Sequence, residues 1–165
     1  MIKYITAVLA VSVLAVGAWA QSPQHQHNIA ASNMIDGAVH PELIPDSTAY
    51  GLYLLTVSVP ANATEKQRKV QQAHLAKANL KDQDEASLQI VLTEFRSQYE
   101  AWVTRWNAAA EAQKEAFDPK PFLQQQADVI QNTRALLEKV LTKEGMTRLH
   151  NHIQDEKRNM RVAAN

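Results

Sequence analysis

Histidine is the residue type in this chain best suited to bind a metal or move a proton near neutral pH. The chain contains six histidines and no cysteine. His25 and His27 alternate with glutamines, and two imidazoles on an extended strand can share a Zn²⁺ or Cu²⁺ ion. A closed structural zinc site uses about four ligands. The simpler interpretation is therefore that both are polar linker residues.

The second group of histidines falls on a predicted helix. His150 and His152 are two residues apart, about 200° around the helix axis, so they cannot hold one ion together. His152 and Glu156 are four apart and share a face, where such pairs are usually solvated surface contacts. A ligand or partner contact at His152 is the alternative. No metal site and no cofactor is predicted.

Nothing else in the chain has a pattern with specific chemical meaning. His40 and His74 are isolated in the sequence and are given no role. The chain lacks G-x-S-x-G, H-E-x-x-H and P-loop patterns, and its acidic residues are spread along amphipathic segments. An enzyme is the least favoured class, so we expect a non-enzymatic protein.

The N-terminus has the features of an export signal. Lys3 precedes an uncharged apolar run over residues 5–16, and Ala18-Trp19-Ala20 places small residues where signal peptidase cleaves. We expect residues 1–20 to be a signal peptide and the mature protein to be periplasmic or secreted, with no stable membrane anchor. An uncleaved N-terminal anchor is the alternative. A lipid anchor is excluded because the chain has no cysteine.

The mature chain of 145 residues is long enough for one domain with a core. Its net charge is −1 with histidine counted as neutral, so the chain has no excess of positive charge that would attract nucleic acid. Only four glycines occur, among many Ala, Gln, Glu, Lys and Leu residues, which favours helix. The prediction is an all-α antiparallel bundle of about five helices over residues 46–165, preceded by an irregular N-terminal arm over residues 21–45.

Caps and stops divide the helical region. Asp46 is a candidate N-cap for a helix that ends before Pro60, and Thr64 with Gln67 forms a capping box for a second helix. A long third helix is predicted over about 85–116, a fourth over 122–141, and a fifth, capped by Thr142, up to about Arg161. The expected inward-facing residues are Val70, Ala73, Lys77 and Leu80 in the second helix, Leu123, Ile130, Leu137 and Leu141 in the fourth, and Met146, Leu149, Ile153 and Met160 in the fifth.

The strongest periodic signal is an apolar stripe on the third helix. Its members alternate steps of four and three residues: Leu88, Leu92, Phe95, Tyr99, Trp102 and Trp106. A bundle core is the favoured interpretation of the aromatic part, Phe95, Tyr99, Trp102 and Trp106. The alternative is a groove that binds apolar segments of partner proteins.

Two stretches resemble known families. Residues 35–46, Ile-Asp-Gly-Ala-Val-His-Pro-Glu-Leu-Ile-Pro-Asp, resemble a segment of uncharacterised small exported bacterial proteins. That resemblance implies that the arm is a defined part of the fold and implies no activity. Leu141-Thr142-Lys143-Glu144-Gly145 is similar to the Leu-Thr-x-x-Gln motif of the Spy and CpxP type of periplasmic helical proteins, with Gly145 in place of the Gln.

Two functions follow as expectations, and a purely structural envelope component, which would need neither an exposed apolar patch nor a metal cluster, is the third interpretation. The leading one is an exported helical protein that binds other envelope proteins, in a chaperone or stress role, through an apolar helical face. The alternative is a periplasmic protein that binds a metal or small ligand through histidines. A metal role requires His25, His27 or His152 to converge with a carboxylate or with another histidine.

Overall fold

The computed structural model describes residues 34–113 and 116–164. Within these residues lie five α-helices, α1 (Asp46–Val57), α2 (Glu65–Ala78), α3 (Asp82–Gln113), α4 (Lys120–Val140) and α5 (Lys143–Glu156). Two short strands, β1 (Met34–Asp36) and β2 (Arg161–Ala163), pair antiparallel. The predicted all-α bundle is confirmed, and the strand pair is an addition that was not predicted. The expected signal peptide lies outside the described residues.

Helices α3 and α4 form the predicted antiparallel hairpin. The stripe on α3 faces α4, and the Trp102 indole N–H donates to the carbonyl of Phe122 at 2.8 Å. One helical turn earlier in α3, the Tyr99 hydroxyl accepts a hydrogen bond from Gln126 at 3.5 Å. All six stripe residues are buried, so the long helix forms the spine of the bundle. It begins at Asp82.

Helix α1 is the central helix and contacts each of the other four. Its burial on nearly every side matches its apolar composition. At Gly51 an added Cβ would lie 2.8 Å from a methyl group of Ile130, so glycine lets α4 pack closely here. The expectation that Asp46 is the N-cap is wrong, because Pro45 occupies that position. No helix in the described part of the chain is long and apolar enough to cross a membrane.

Helix α2 begins as predicted and packs through a different face. Thr64 and Gln67 form the expected capping box, and Asn79 ends the helix with a left-handed backbone at φ 49°. Of the predicted inner residues Ala73 and Lys77 are exposed. The face turned to the bundle is instead Gln71, His74, Leu75 and Ala78. Half of this face is polar, which is why an apolar pattern could not identify it.

Helix α4 differs from the prediction at its first turn. Leu123 is exposed, whereas Leu137 is fully buried and Ile130 is half-buried. Phe122 takes the inner position at this end, since its carbonyl accepts the Trp102 indole bond and its ring packs on Trp106. The next residue points about 100° away around the helix.

Helix α5 is fixed at its N-terminus by a buried carboxylate from α3. Thr142 is the predicted cap and accepts from the Gly145 N–H at 3.0 Å. The Asp84 carboxylate accepts from both the backbone N–H and the hydroxyl of Thr142, each at 2.7 Å. A side chain at Gly145 would overlap this carboxylate. Local packing therefore explains the glycine at position 145.

The chain after α5 does not continue as helix. A 3₁₀ turn over Lys157–Asn159 leads into β2, so the predicted helical placement of Met160 and Arg161 is wrong. The ends of the domain are held together by ion pairs, Lys157 with Asp46 at 2.6 Å and Arg161 with Asp36 at 2.7 Å. The carboxylates of Asp46 and Asp36 are therefore the partners of these two cations.

Part of the N-terminal arm packs on the bundle. Ile44 is fully buried and Ile35 is half-buried, whereas Val39 and Leu43 are exposed. The backbone of Gly37 lies against the turn after α5, where its N–H donates to the Met160 carbonyl at 2.9 Å. The arm is thus joined to the C-terminal end of the chain.

Candidate metal centre

The candidate site lies where the inner face of α2 meets α5. His152 and Glu156 are four residues apart on α5 and therefore project from the same side of that helix. His74 projects towards them from α2. One donor atom from each of these three side chains lies within 4.8 Å of the other two. The sequence predicts no role for His74, because the residues near it in the chain include no second metal ligand.

Helix α2 covers the pair on α5. His152 is buried, and the side chain of Glu156 is only 14% exposed. The interpretation of His152 and Glu156 as a solvated surface pair is therefore wrong. A helix face that looks polar in sequence becomes an interior face because α2 packs on it with polar residues of its own.

The two imidazoles are not satisfied by other protein groups. The rings of His74 and His152 lie 6.1 Å apart between centroids. His74 Nδ1 and His152 Nε2 are both buried and have no hydrogen-bond partner. Buried polar atoms in native proteins are normally paired, and an unpaired one points to a bound water, an ion or a functional role.

Electrostatics keep both imidazoles neutral near neutral pH. Burial lowers the pKa of His74 and of His152, and it outweighs the negative charge of Glu156, which acts in the opposite direction. The positive charge of Lys77 lowers both values further. Only a neutral imidazole has a lone pair to give to a metal, so these groups need little or no deprotonation to bind one.

Glu156 completes the cluster as an ionised carboxylate. Burial acts to raise its pKa, but the hydrogen bond from Asn159, the charge of Lys77 and the charges that the two imidazoles carry when protonated at low pH outweigh burial and hold the pKa below its usual value. Lys77 contacts one carboxylate oxygen at 3.4 Å, and Asn159 donates to the other at 3.3 Å. The Lys77 side chain is 61% exposed, so it can turn into solvent and free an oxygen.

The donor set and its spacing suit a transition-metal ion. Two ligands on a tetrahedral Zn²⁺, each at about 2.0–2.1 Å from the metal, lie roughly 3.3 Å apart. The donor atoms of the cluster lie within 4.8 Å of one another. To bind one ion they would have to move closer together by about 1 Å. Rotation of the side chains can supply this movement. Three protein ligands would leave a position for a further ligand, as in open zinc sites.

The remaining histidines lie elsewhere. His150 points to the other side of α5, where its Nδ1 is 3.1 Å from the Tyr50 hydroxyl. This agrees with the expectation that His150 and His152 do not share an ion. His40 is exposed and lies 3.1 Å from Glu42. The predicted linker residues His25 and His27 lie outside the described residues.

The aromatic stripe on α3 lies in the core. Phe95, Tyr99, Trp102 and Trp106 are each 9% exposed or less, which matches the favoured core interpretation. Each ring contacts the next one along the stripe, and the Trp106 ring meets Phe122 of α4 edge to face. A partner protein could reach them only if α3 and α4 separated. Protein binding by this stripe stays a prediction.

Comparisons of the chain with protein-family models, with curated proteins and with solved structures find no match. The two family resemblances of the sequence therefore stay predictions.

Proposed function

We propose that this chain is an exported helical protein that binds one divalent transition-metal ion between α2 and α5, through His74, His152 and Glu156. The observation that carries the proposal is the convergence, within 4.8 Å, of a carboxylate and two imidazoles, each of which has one buried nitrogen without a hydrogen-bond partner. Export to the periplasm or beyond rests on the signal-like pattern of residues 1–20.

The chemistry of the ligands narrows the choice of ion. Imidazole nitrogen suits Zn²⁺, Cu²⁺ and Ni²⁺, whereas Mg²⁺ and Ca²⁺ prefer shells made of oxygen. The described residues of the site offer two nitrogens and one carboxylate. Zn²⁺ fits best, because it accepts mixed nitrogen and oxygen ligands and imposes little geometric demand of its own.

The location of the ligands links the ion to the fold. His74 belongs to α2, whereas His152 and Glu156 belong to α5. An ion that binds all three must hold these helices together, and its binding energy adds to the stability of that contact. In this proposal the protein senses or stores the ion through the docking of α2 on α5.

The test is a calorimetric titration of Zn²⁺ into the metal-stripped chain from Gln21, at neutral pH and with Mg²⁺ present as a competitor. We expect one ion per chain and no competition from Mg²⁺. His74→Gln should weaken Zn²⁺ binding by at least ten-fold. Even the loss of an outer-shell partner of a metal ligand lowers metal affinity ten-fold to a hundred-fold.

Two control variants separate this site from other histidines. His40→Gln removes an exposed histidine paired with Glu42 and should bind Zn²⁺ like the wild type. The double variant His25→Gln with His27→Gln removes the other histidine candidates of the sequence and should also retain binding. Loss of binding in that double variant, with normal binding by His74→Gln, would place the ion at the N-terminus and refute the proposal.

A further inference from the structure

Tyr53 of α1 carries a third unpartnered polar group, beside the two imidazoles of the proposed centre. The residue is 3% exposed, and its hydroxyl is buried without a hydrogen-bond partner. Buried tyrosine hydroxyls usually find a partner, because the phenol is dehydrated on burial. Phenylalanine would fill the same space without this unsatisfied group.

The ring of Tyr53 lies directly against the metal-ligand cluster. It meets His152 edge to face, with centroids 5.6 Å apart and planes at 80°. His152 in turn contacts His74. Unpartnered buried atoms of three side chains, from α1, α2 and α5, therefore belong to one set of touching rings.

The phenol at this position can act as a hydrogen-bond donor. A phenol is protonated at neutral pH, so the Tyr53 hydroxyl has a proton to donate. A neutral phenol donates well to an oxygen that carries partial negative charge, such as the oxygen of a water bound to a metal.

We propose that Tyr53 is a positioning residue of the metal centre, whose hydroxyl donates a hydrogen bond to the water that completes the shell of the ion. This inference rests on the proposed function, since it needs the ion held by His74, His152 and Glu156. It makes the site an open one with an exchangeable water, rather than a closed structural site. The unsatisfied hydroxyl of the metal-free protein then gains its partner when the ion and its water bind.

Tyr53→Phe tests this role in the same metal-stripped protein, with Co²⁺ as a spectroscopic probe. The variant should bind Co²⁺ about ten-fold more weakly, the effect typical of losing an outer-shell partner. The visible spectrum of its Co²⁺ complex should differ from that of the wild type. Its melting temperature without metal should be equal or higher, because an unpaired buried hydroxyl has been removed.

Tyr50→Phe is the matched control. Tyr50 is also a buried tyrosine of α1, but its hydroxyl faces His150, away from the proposed ion. This variant should keep the wild-type Co²⁺ affinity and spectrum. A tyrosine with a purely structural role at position 53 would instead lower the metal-free melting temperature on substitution and leave the Co²⁺ spectrum unchanged.

The outcomes separate the two proposals. If the wild-type protein binds Co²⁺, His74→Gln binds it at least ten-fold more weakly, and Tyr53→Phe matches the wild type in affinity and spectrum, the role of Tyr53 is refuted and the metal centre stands. If the wild type itself binds no Co²⁺ and no Zn²⁺, the metal centre is refuted and the role of Tyr53 with it.

Discussion

Saturating Zn²⁺ is expected to slow amide hydrogen exchange in α2 more than in any other helix, because α2 is held by the least packing. Ala78 is the one fully buried residue of this helix. Leu75, and Leu80 just after the helix, are half-buried. Full burial of a leucine contributes roughly 1.5–3 kcal/mol, so these two together contribute on the order of 2 kcal/mol.

Hydrogen bonds between α2 and the rest of the bundle add a contribution of similar size. Gln71 donates to the carbonyl of Val57 at 2.7 Å, and Arg148 donates to the carbonyl of Asn79 at 2.7 Å. Each contributes about 1 kcal/mol net. A helix of 14 residues is marginal on its own in water. Without metal we therefore expect α2 to detach and unwind at a free-energy cost of only a few kcal/mol, well before the bundle unfolds.

The ion changes this balance by an amount that its concentration sets. Because one of its three ligands belongs to α2, the ion binds the docked state more tightly than the detached state. At one hundred times the dissociation constant it adds at most about 2.7 kcal/mol to docking, the limit reached when the detached state does not bind it. Exchange that proceeds through detachment of α2 should then slow by up to about 100-fold. The exchange rates of the amides in α3 and α4 should change much less, in conditions where these amides exchange without detachment of α2.

Hydrogen exchange followed by mass spectrometry, with and without Zn²⁺, measures this effect on peptides covering residues 67–78. The His40→Gln protein should respond like the wild type, and the His74→Gln protein should show no change on adding the ion. If calorimetry shows that Zn²⁺ is bound and the α2 amides still exchange at the metal-free rate, the ion is not held by His74, and the reasoning fails.

Two further predictions concern pH and packing. Because burial lowers the pKa of both His74 and His152, the unfolded chain binds more protons than the folded chain below about pH 6.5, so metal-free stability should fall as pH decreases through that value towards the lowered folded pKa values. Urea unfolding at pH 7.5 and 5.5 checks this, and a double His74→Gln, His152→Gln variant that loses as much stability as the wild type would contradict it. Gly145→Ala should lose about 1–3 kcal/mol in urea unfolding, because its Cβ overlaps the Asp84 carboxylate. Adding Asp84→Ala should cost less in this variant than in the wild type, and strictly additive losses would contradict the proposed overlap.

The parts of the fold that sequence predicted are those in which large apolar residues repeat. The stripe from Leu88 to Trp106 keeps steps of three and four, and each member is buried against the rest of the bundle. The caps at Thr64 and Thr142 were also predictable, because capping depends on the residue type at a single position and on its near neighbours.

Long-range pairing could not be predicted from local patterns. Strands β1 and β2 have three residues each and pair across almost the whole domain. Three residues are too few to establish a two-residue period. The ion pair of Asp36 with Arg161 and the close approach at Gly37 fix this contact, and neither leaves a signal within its own stretch of chain.

The sequence predicted the candidate site only in part, as the alternative role of His152, and His74 was missed for a related reason. Gln71, His74, Leu75 and Ala78 do follow the spacing of a helix face, but two of the four are polar, so an apolar pattern placed the inner face elsewhere. On α5 the spacing of His152 and Glu156 was visible. The information that joins them is the packing of α2 against α5, which arises from the tertiary fold.

The polar composition of this contact argues for function over stability. A bundle gains most from apolar side chains between its helices, and leucine in place of His74 or His152 would leave no buried nitrogen without a partner. The chain instead places imidazoles here, with a phenol from α1 beside them. Departures from good local packing are expected where a protein binds something. Three unsatisfied groups in one set of touching rings are such a departure, and an ion with its water is the ligand that would satisfy all three together.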